Sequence, residues 1–291
     1  MTAIIHSGVI KPPFQWFGSK RRHVRCLLQY FPPPSEQTKH FVDCCGGGGA
    51  VALNCPDYAK VTYNDIYGEL VNFFRVLRGR ETSGRLIEQL ELTPYARAEW
   101  ELAQERGHPD LIERARRFWV RVNQSFQGLE QRDQWGVSIN DHCFPDGGAR
   151  LRARCNARAI ALLPYIAPLL QHWHLENRDV FKLIDFYDTP TTLFYVDPPY
   201  VAEQRSSGQG KQYTHEASDW QWHKRLAAKL QTIVGKAIVS SYASDRYAAL
   251  YEGWRRVDGE PYKSNSLPPK IKQEMLLINF PETEQAQSNL I

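Results

Sequence analysis

His40-Phe-Val-Asp-Cys-Cys-Gly-Gly-Gly-Gly-Ala50 is the stretch that decides how this chain folds. His40–Asp43 is apolar enough for a short buried strand, and a run of four glycines ends it. Glycines after a strand let the backbone approach a ligand closely, and a helix start behind them offers free N–H groups to a carboxylate. The spacing is not Gly-x-Gly-x-x-Gly, so a dinucleotide pyrophosphate is not specifically suggested. Lys60–Tyr63 reads as a second strand, ending at Asn64–Asp65 before the helical pattern of Ile66–Arg78. The expected order is strand, glycine loop, helix, strand, acid. Asp65, nineteen residues after Gly46, stands where an acidic side chain accepts from ribose hydroxyls in nucleotide-binding folds.

Further out, Thr192–Val196, Lys236–Ser240 and Glu274–Phe280 are short β-branched or apolar runs, with a helix-like segment at Trp220–Ile233. Strands alternating with helices predict an α/β fold with a mostly parallel sheet. The middle, from about Glu81 to Gln171, is arginine-rich and mostly helical in pattern; its section from Gln124 to Arg150 suits a hairpin or irregular loops. These differences predict one domain from residues 1–80 and 177–291, with residues 81–176 as an inserted module. There are no internal repeats.

Composition excludes more than it assigns. No stretch of the 291 residues approaches the length of apolar chain that a membrane span needs, and the N-terminus lacks a basic region before its short apolar run. A soluble, unsecreted, cytoplasmic protein is expected. The six cysteines include no Cys-x-x-Cys pair and no spacing with histidine that suggests zinc, so neither a metal site nor a disulfide scaffold is indicated. Net charge is +4; Arg106 to Arg158 alone holds ten arginines against six acids, an equal excess. An arginine-only bias suits phosphate and guanine edges, which the planar guanidinium binds bidentately, as well as it suits a solvated helical face. Arg114, Arg116, Arg117 and Arg121 are spaced to bring at least three onto one helical face, and with Arg132 they are the candidate phosphate contacts.

The chemistry is concentrated in Asp197-Pro198-Pro199-Tyr200, directly after the apolar Leu193–Val196. In open α/β sheets the ligand crevice lies at the carboxyl ends of strands. Two prolines fix φ and remove two backbone donors, leaving a stiff turn that presents carbonyl oxygens, a carboxylate and an aromatic ring. Such a turn suits a planar amine. An exocyclic purine amine is a poor nucleophile because its lone pair is delocalised into the ring. If Asp197 and the Pro198 carbonyl accept its two hydrogens, the nitrogen is drawn toward tetrahedral geometry and its lone pair is freed. Tyr200 would stack on the base, which must first leave the duplex. The polar Val201–Thr214 that follows reads as a lid over that pocket, or as an idle surface loop.

Taken in order, these motifs resemble the Dam-type, D12 class adenine-specific DNA methyltransferases over nearly the whole chain. Pro13-Phe14-Gln15-Trp16-Phe17-Gly18-Ser19-Lys20 resembles the family's N-terminal motif. Phe41–Ala50, Asn64–Asp65 and Asp197–Tyr200 then resemble its cofactor and catalytic motifs. Asn177-Arg178-Asp179-Val180 is similar to the short motif that meets the cofactor's adenine, and Asn123–Leu129 to the Asn-rich stretch of the recognition domain. Glu274–Asn279 resembles the closing Glu-x-Leu-Ile-x-Asn strand. The resemblance implies a Rossmann-like methyltransferase sheet with an inserted, mainly helical DNA-recognition domain, S-adenosylmethionine as methyl donor, and duplex DNA as substrate. It assigns Phe14, Trp16, Phe41, Asp43, Gly46, Gly48, Asp65, Asp179, Val180 and Asp197 to the cofactor, with Asp197, Pro198, Pro199 and Tyr200 at the target base. It places Lys20 near both, and Asn123, Gln124 and Gln127 toward DNA. A monomer is expected.

The sequence departs from the family at Phe17-Gly-Ser-Lys20, where Ala-Gly-Gly-Lys is usual, and at Asp43-Cys-Cys45, where an acid is followed by Pro-Phe. Gln124 and Gln127 stand where the family often has Arg and Asn, so its Gly-Ala-Thr-Cys target does not transfer. Cytosine N4 methylation, an RNA substrate, and an inactive DNA-binding protein are the competing readings. The aspartate heading the turn leans against cytosine N4, and the intact Asp197–Tyr200 turn argues against a binding-only role.

Overall fold

A computed structural model describes residues 8–125, 135–136, 148–201, 219–263 and 271–282. Its strands are β1 (His40–Asp43), β2 (Lys60–Asn64), β3 (Trp173–Glu176), β4 (Thr192–Val196), β5 (Lys236–Tyr242), β6 (Arg255–Asp258), β7 (Tyr262–Lys263), β8 (Ile271–Lys272) and β9 (Glu274–Ile278). Its helices are α1 (Val24–Leu28), α2 (Gly68–Arg78), α3 (Arg80–Leu92), α4 (Arg97–Ala103), α5 (Leu111–Gln124), α6 (Gly148–Ile160), α7 (Leu163–Leu169), α8 (Val180–Tyr187), α9 (Trp220–Leu230) and α10 (Asp245–Ala248). The chain divides into two compact units, one of residues 1–24, 47–56 and 67–177, the other of residues 25–46, 57–66 and 178–291.

In the second unit, strands lie side by side in the order β2-β1-β4-β5-β9-β6. β2, β1, β4 and β5 run parallel, and β9 is antiparallel to both β5 and β6. The expected mixed α/β fold with a mainly parallel sheet is therefore present. Side chains alternate across the strands with period two. Val42, Phe194, Val196 and Val239 point to one face and bury against Leu183 and Ile184 of α8 and Leu226 and Leu230 of α9. Each such side chain contributes roughly 1.5–3 kcal/mol of burial. On the other face Phe31 packs against Phe41 and Tyr195, and Tyr58 against Phe41. β1 leads to β2 on one side and β4 to β5 on the other, so the sheet's switch point falls between β1 and β4. Their carboxyl ends, at Asp43 and Val196, open the crevice that such sheets use for ligands.

The connection from β1 to β2 differs from expectation. It contains a three-residue 3₁₀ turn, Ala52–Asn54, in place of an α-helix. Four glycines lower helix propensity, and Pro56 bars the residue before it from helical geometry, which leaves too few residues for a stable helix. The glycines are required by close packing. A Cβ on Gly46 would sit 2.2 Å from the ring of Tyr63, and Gly47 has φ +49° with Trp16 2.7 Å from its own Cβ position. Tyr63 is fully buried and cannot swing aside. Gly46→Ala is therefore expected to lower stability by about 2 kcal/mol, an overpacking cost readable by thermal or urea unfolding; an unchanged midpoint would remove this account of the glycine.

The first unit is helical, and α2 pairs with α5. Asp110 caps α5, its Oδ1 accepting from the Ile112 amide at 2.8 Å, and Glu113 adds negative charge to the first turn. Phe14 is buried against Phe73 of α2 and Phe118 of α5, with ring centroids 5.2 and 5.4 Å away. Trp119 donates its indole N–H to the Pro13 carbonyl at 3.3 Å. These contacts put the N-terminal segment and α2 into the helical unit.

Candidate active site

The Asp197–Tyr200 turn leaves β4 at the sheet's carboxyl edge. Asp197 is half-buried, and its Oδ1 accepts from the Ser240 hydroxyl of β5 at 2.8 Å. Ser240 has one proton, so Tyr195 must be the donor in its 3.1 Å contact with Ser240 Oγ. A chain from Tyr195 through Ser240 thus fixes the rotamer of the Asp197 carboxylate. Burial first, then the charge of Asp197, pushes the Tyr195 hydroxyl well above its ordinary range and keeps it a donor.

His223 of α9 holds the turn from below. It is fully buried; its Nε2 lies 3.1 Å from the Pro199 carbonyl and its Nδ1 3.1 Å from the Tyr247 hydroxyl. A carbonyl only accepts, so the proton is on Nε2, and Nδ1 receives the Tyr247 proton when the ring is neutral. Sequence reasoning assigned His223 no role. The available signal was a histidine three, four and seven residues before Leu226, Ala227 and Leu230, on the buried face of an amphipathic helix.

Tyr200 is fixed at both ends. Its hydroxyl donates to Glu274 Oε2 at 2.6 Å, and its ring meets Tyr242 edge to face, centroids 4.4 Å apart at 72°. Tyr262 donates to the other Glu274 oxygen at 3.0 Å. Lys272 donates to the Tyr242 hydroxyl at 2.6 Å. Burial, then the charges of Asp197 and Glu274, hold the Tyr200 hydroxyl well above the usual tyrosine range, so it remains protonated.

Acids converge beside this turn. Asp43 ends β1, Asp65 follows β2 and Asp197 follows β4. Cys45 marks where their fields meet: burial first, then Cys44, Asp65, Asp197 and Asp43, push its thiol well above the ordinary range. Asn64, also buried, organises the edge. Its Nδ2 donates to the carbonyls of Cys44 and Arg178 at 2.8 and 3.1 Å, and its Oδ1 accepts from the Arg178 amide at 2.9 Å. That clamp sets the backbone just before Asp179, which caps α8 by accepting from the amides of Phe181 and Lys182. Among the described residues no group of three or more His, Cys, Asp or Glu could hold a metal ion. No helix there is long and apolar enough to cross a membrane.

Several expected site residues are placed otherwise. Phe14 and Phe41 are core residues, held by the aromatic contacts above, and the Val180 side chain joins the α8 core. Their apolar rings and methyls are buried by the protein itself. In the helical unit Trp16 is half-buried, stacked on Tyr67 with centroids 6.3 Å apart, and Gly48 lies beneath it. Lys20 is buried in a 3₁₀ turn.

Arg116, Arg117 and Arg121 are held by partners within the helical unit. Arg116 grips Glu113 bidentately at 2.7 and 2.9 Å and reaches Glu99 at 2.8 Å. Arg117 pairs with Glu113 at 2.7 Å and Glu105 at 3.1 Å, and Arg121 donates to the Ala103 carbonyl at 2.7 Å with Glu69 3.6 Å away. All three are buried, their guanidinium groups paired inside the helical unit. The hydrogen bond from Arg116, ahead of that from Arg117, lowers Glu113 to about 2 against the opposing effect of burial. Asn123 donates back to the Trp119 carbonyl at 3.0 Å, and buried Gln124 donates to the Pro94 carbonyl at 3.1 Å. Gln127, Arg132 and the expected lid at 202–214 lie outside the described residues.

One family model, described as D12 class N6 adenine-specific DNA methyltransferase, matches residues 16–260. No curated protein matches the chain.

Proposed function

The chain belongs to the D12 class N6 adenine-specific DNA methyltransferases, and from that premise we propose how its sheet unit performs the reaction. The enzyme methylates adenine N6 in DNA and so requires a methyl donor. We infer that the donor is S-adenosylmethionine, which when bound supplies a methyl group on a positively charged sulfur. The carboxylates of Asp43, Asp65 and Asp197, whose fields meet at Cys45, are the donor set that suits such a cation. Asp65 would hold its ribose hydroxyls, and Asp179, at the start of α8, would hold its adenine.

The carrying observation is the Asp197 carboxylate, oriented by Ser240 and through it by Tyr195. With the target adenine turned out of the duplex, Asp197 and the Pro198 carbonyl accept the two N6 hydrogens, and the Tyr200 ring stacks on the base. The nitrogen lone pair is then free to take the methyl group. Asp197 works as an acceptor more than as a strong base, because the methylated nitrogen sheds its extra proton readily to solvent. His223 keeps the turn at one height by holding the Pro199 carbonyl. Residues 81–176 form the module that recognises the DNA site, with contacts drawn from Asn123, Gln127 and Arg132.

Incubation with S-adenosylmethionine and mixed-sequence duplex, followed by complete digestion and mass spectrometry of the nucleosides, is expected to yield N6-methyladenine. The same donor, titrated in binding equilibrium, is expected to bind Asp65→Asn about tenfold more weakly, the loss of a charge-assisted hydrogen bond. Unchanged affinity would remove the ribose assignment.

A further inference from the structure

The Tyr200 ring is held in place by the protein's own side chains, and the group that holds it is Glu274. This carboxylate bridges two tyrosine hydroxyls, Tyr200 at 2.6 Å and Tyr262 at 3.0 Å. Both hydroxyls stay protonated, because burial and the Glu274 charge raise each well above the ordinary tyrosine range. Both of its carboxylate oxygens are thus engaged by donors, the arrangement in which a carboxylate is held most firmly. Tyr242 meets the Tyr200 ring edge to face, and the Lys272 ammonium lies 4.2 Å from the Tyr242 ring centroid. Glu274 begins β9, a central strand paired on both sides, so its backbone is as rigid as the sheet.

We propose that Glu274 is a positioning residue for methyl transfer, locking the Tyr200 ring as a preformed platform for the target adenine. The inference rests on the reading that Tyr200 stacks on that base. Its physical content is preorganisation. A tyrosine free to rotate loses rotamer freedom when the base arrives, whereas one already pinned does not, and the base then meets Asp197 in one geometry. Donating its proton to Glu274 also leaves the Tyr200 hydroxyl no proton to donate to the base.

The test is a double-mutant cycle in the full-length enzyme, on a duplex carrying the mapped methylation site. Glu274→Gln and Tyr200→Phe are each expected to slow single-turnover methyl transfer about tenfold, with cofactor and DNA dissociation constants unchanged. The double variant is expected to be no slower than either single variant, because both remove one interaction. Losses that multiply to about a hundredfold, or a Glu274→Gln enzyme as fast as the unsubstituted one, would overturn the assignment of Glu274. The underlying reading is checked separately with 2-aminopurine in place of the target adenine. Tyr200→Ala is expected to alter the fluorescence change on binding; if it does not, the stacking role fails, and the Glu274 role with it.

Discussion

Asp197→Ala is expected to lower the single-turnover rate of adenine methylation about 10³-fold, the scale on which removal of one preorganised polar group from a transition state is felt. The adenine amine becomes nucleophilic only when its hydrogens are held out of the ring plane, and on the proposed reading Asp197 is one of the two acceptors that hold them. Asp197→Asn is expected to fall nearly as far. The Ser240 hydroxyl would claim the amide oxygen, as it claims Oδ1 at 2.8 Å, and turn the amide N–H₂ toward the amine, donor against donor. Ser240→Ala leaves the carboxylate charged but releases its rotamer, and is expected to cost about tenfold. Rapid-quench transfer of a labelled methyl group reads all three. A rate for Asp197→Ala within tenfold of the unsubstituted enzyme would move the chemistry away from this turn.

The Asp197–Tyr200 turn was legible in the sequence because its signal is local. An apolar strand, then an acid, two prolines and an aromatic residue, says where the chain is stiff and what it presents, and β4 ends where that reading put it. The groups that orient the turn were not legible as such. Ser240 is 43 residues from Asp197, and Glu274 is 74 from Tyr200. Only parallel pairing of β4 with β5, and antiparallel pairing of β5 with β9, brings them to one edge. Glu274 appears in the sequence as part of a strand motif with no assigned role. His223 appears as one more histidine until α9 is seen to bury it beneath Pro199.

The connection from β1 to β2 was not legible for a related reason. A strand, glycines and a second strand suggested a helix between the strands, because that is the commonest way to connect parallel strands. Packing of Gly46 against Tyr63 and of Gly47 against Trp16 is a tertiary demand that no local pattern declares. The N-terminal aromatic motif says what chemistry is available there, but not that Phe14 packs against Phe73 and Phe118. Residue type gives the chemistry available at a position; burial decides whether a ligand can use it.

Arg121→Ala is expected to destabilise the protein by about 3–5 kcal/mol, since truncating one member of a buried polar cluster strands the others. Arg121 is 1% exposed. Removing it leaves the Ala103 carbonyl without its 2.7 Å donor and Glu69 dependent on Arg114, 2.7 Å away. For a chain of this size the midpoint should fall on the order of 10 °C. Arg121→Met, which keeps the volume and removes the charge, is expected to cost less than alanine. The same residues give the opposite forecast if they touch DNA. Each arginine on a phosphate adds about 0.9 to the slope of log affinity against log salt, so its loss would flatten that slope and leave the melting midpoint alone. Arg114, Arg116, Arg117 and Arg121 face Glu69, Glu99, Glu105 and Glu113, four charges against four, so the arginine excess along α5 is neutralised within the helical unit. Arg116→Met and Arg117→Met are accordingly expected to lower the midpoint and keep the salt slope of duplex binding; a flattened slope with an unchanged midpoint would return these arginines to the DNA.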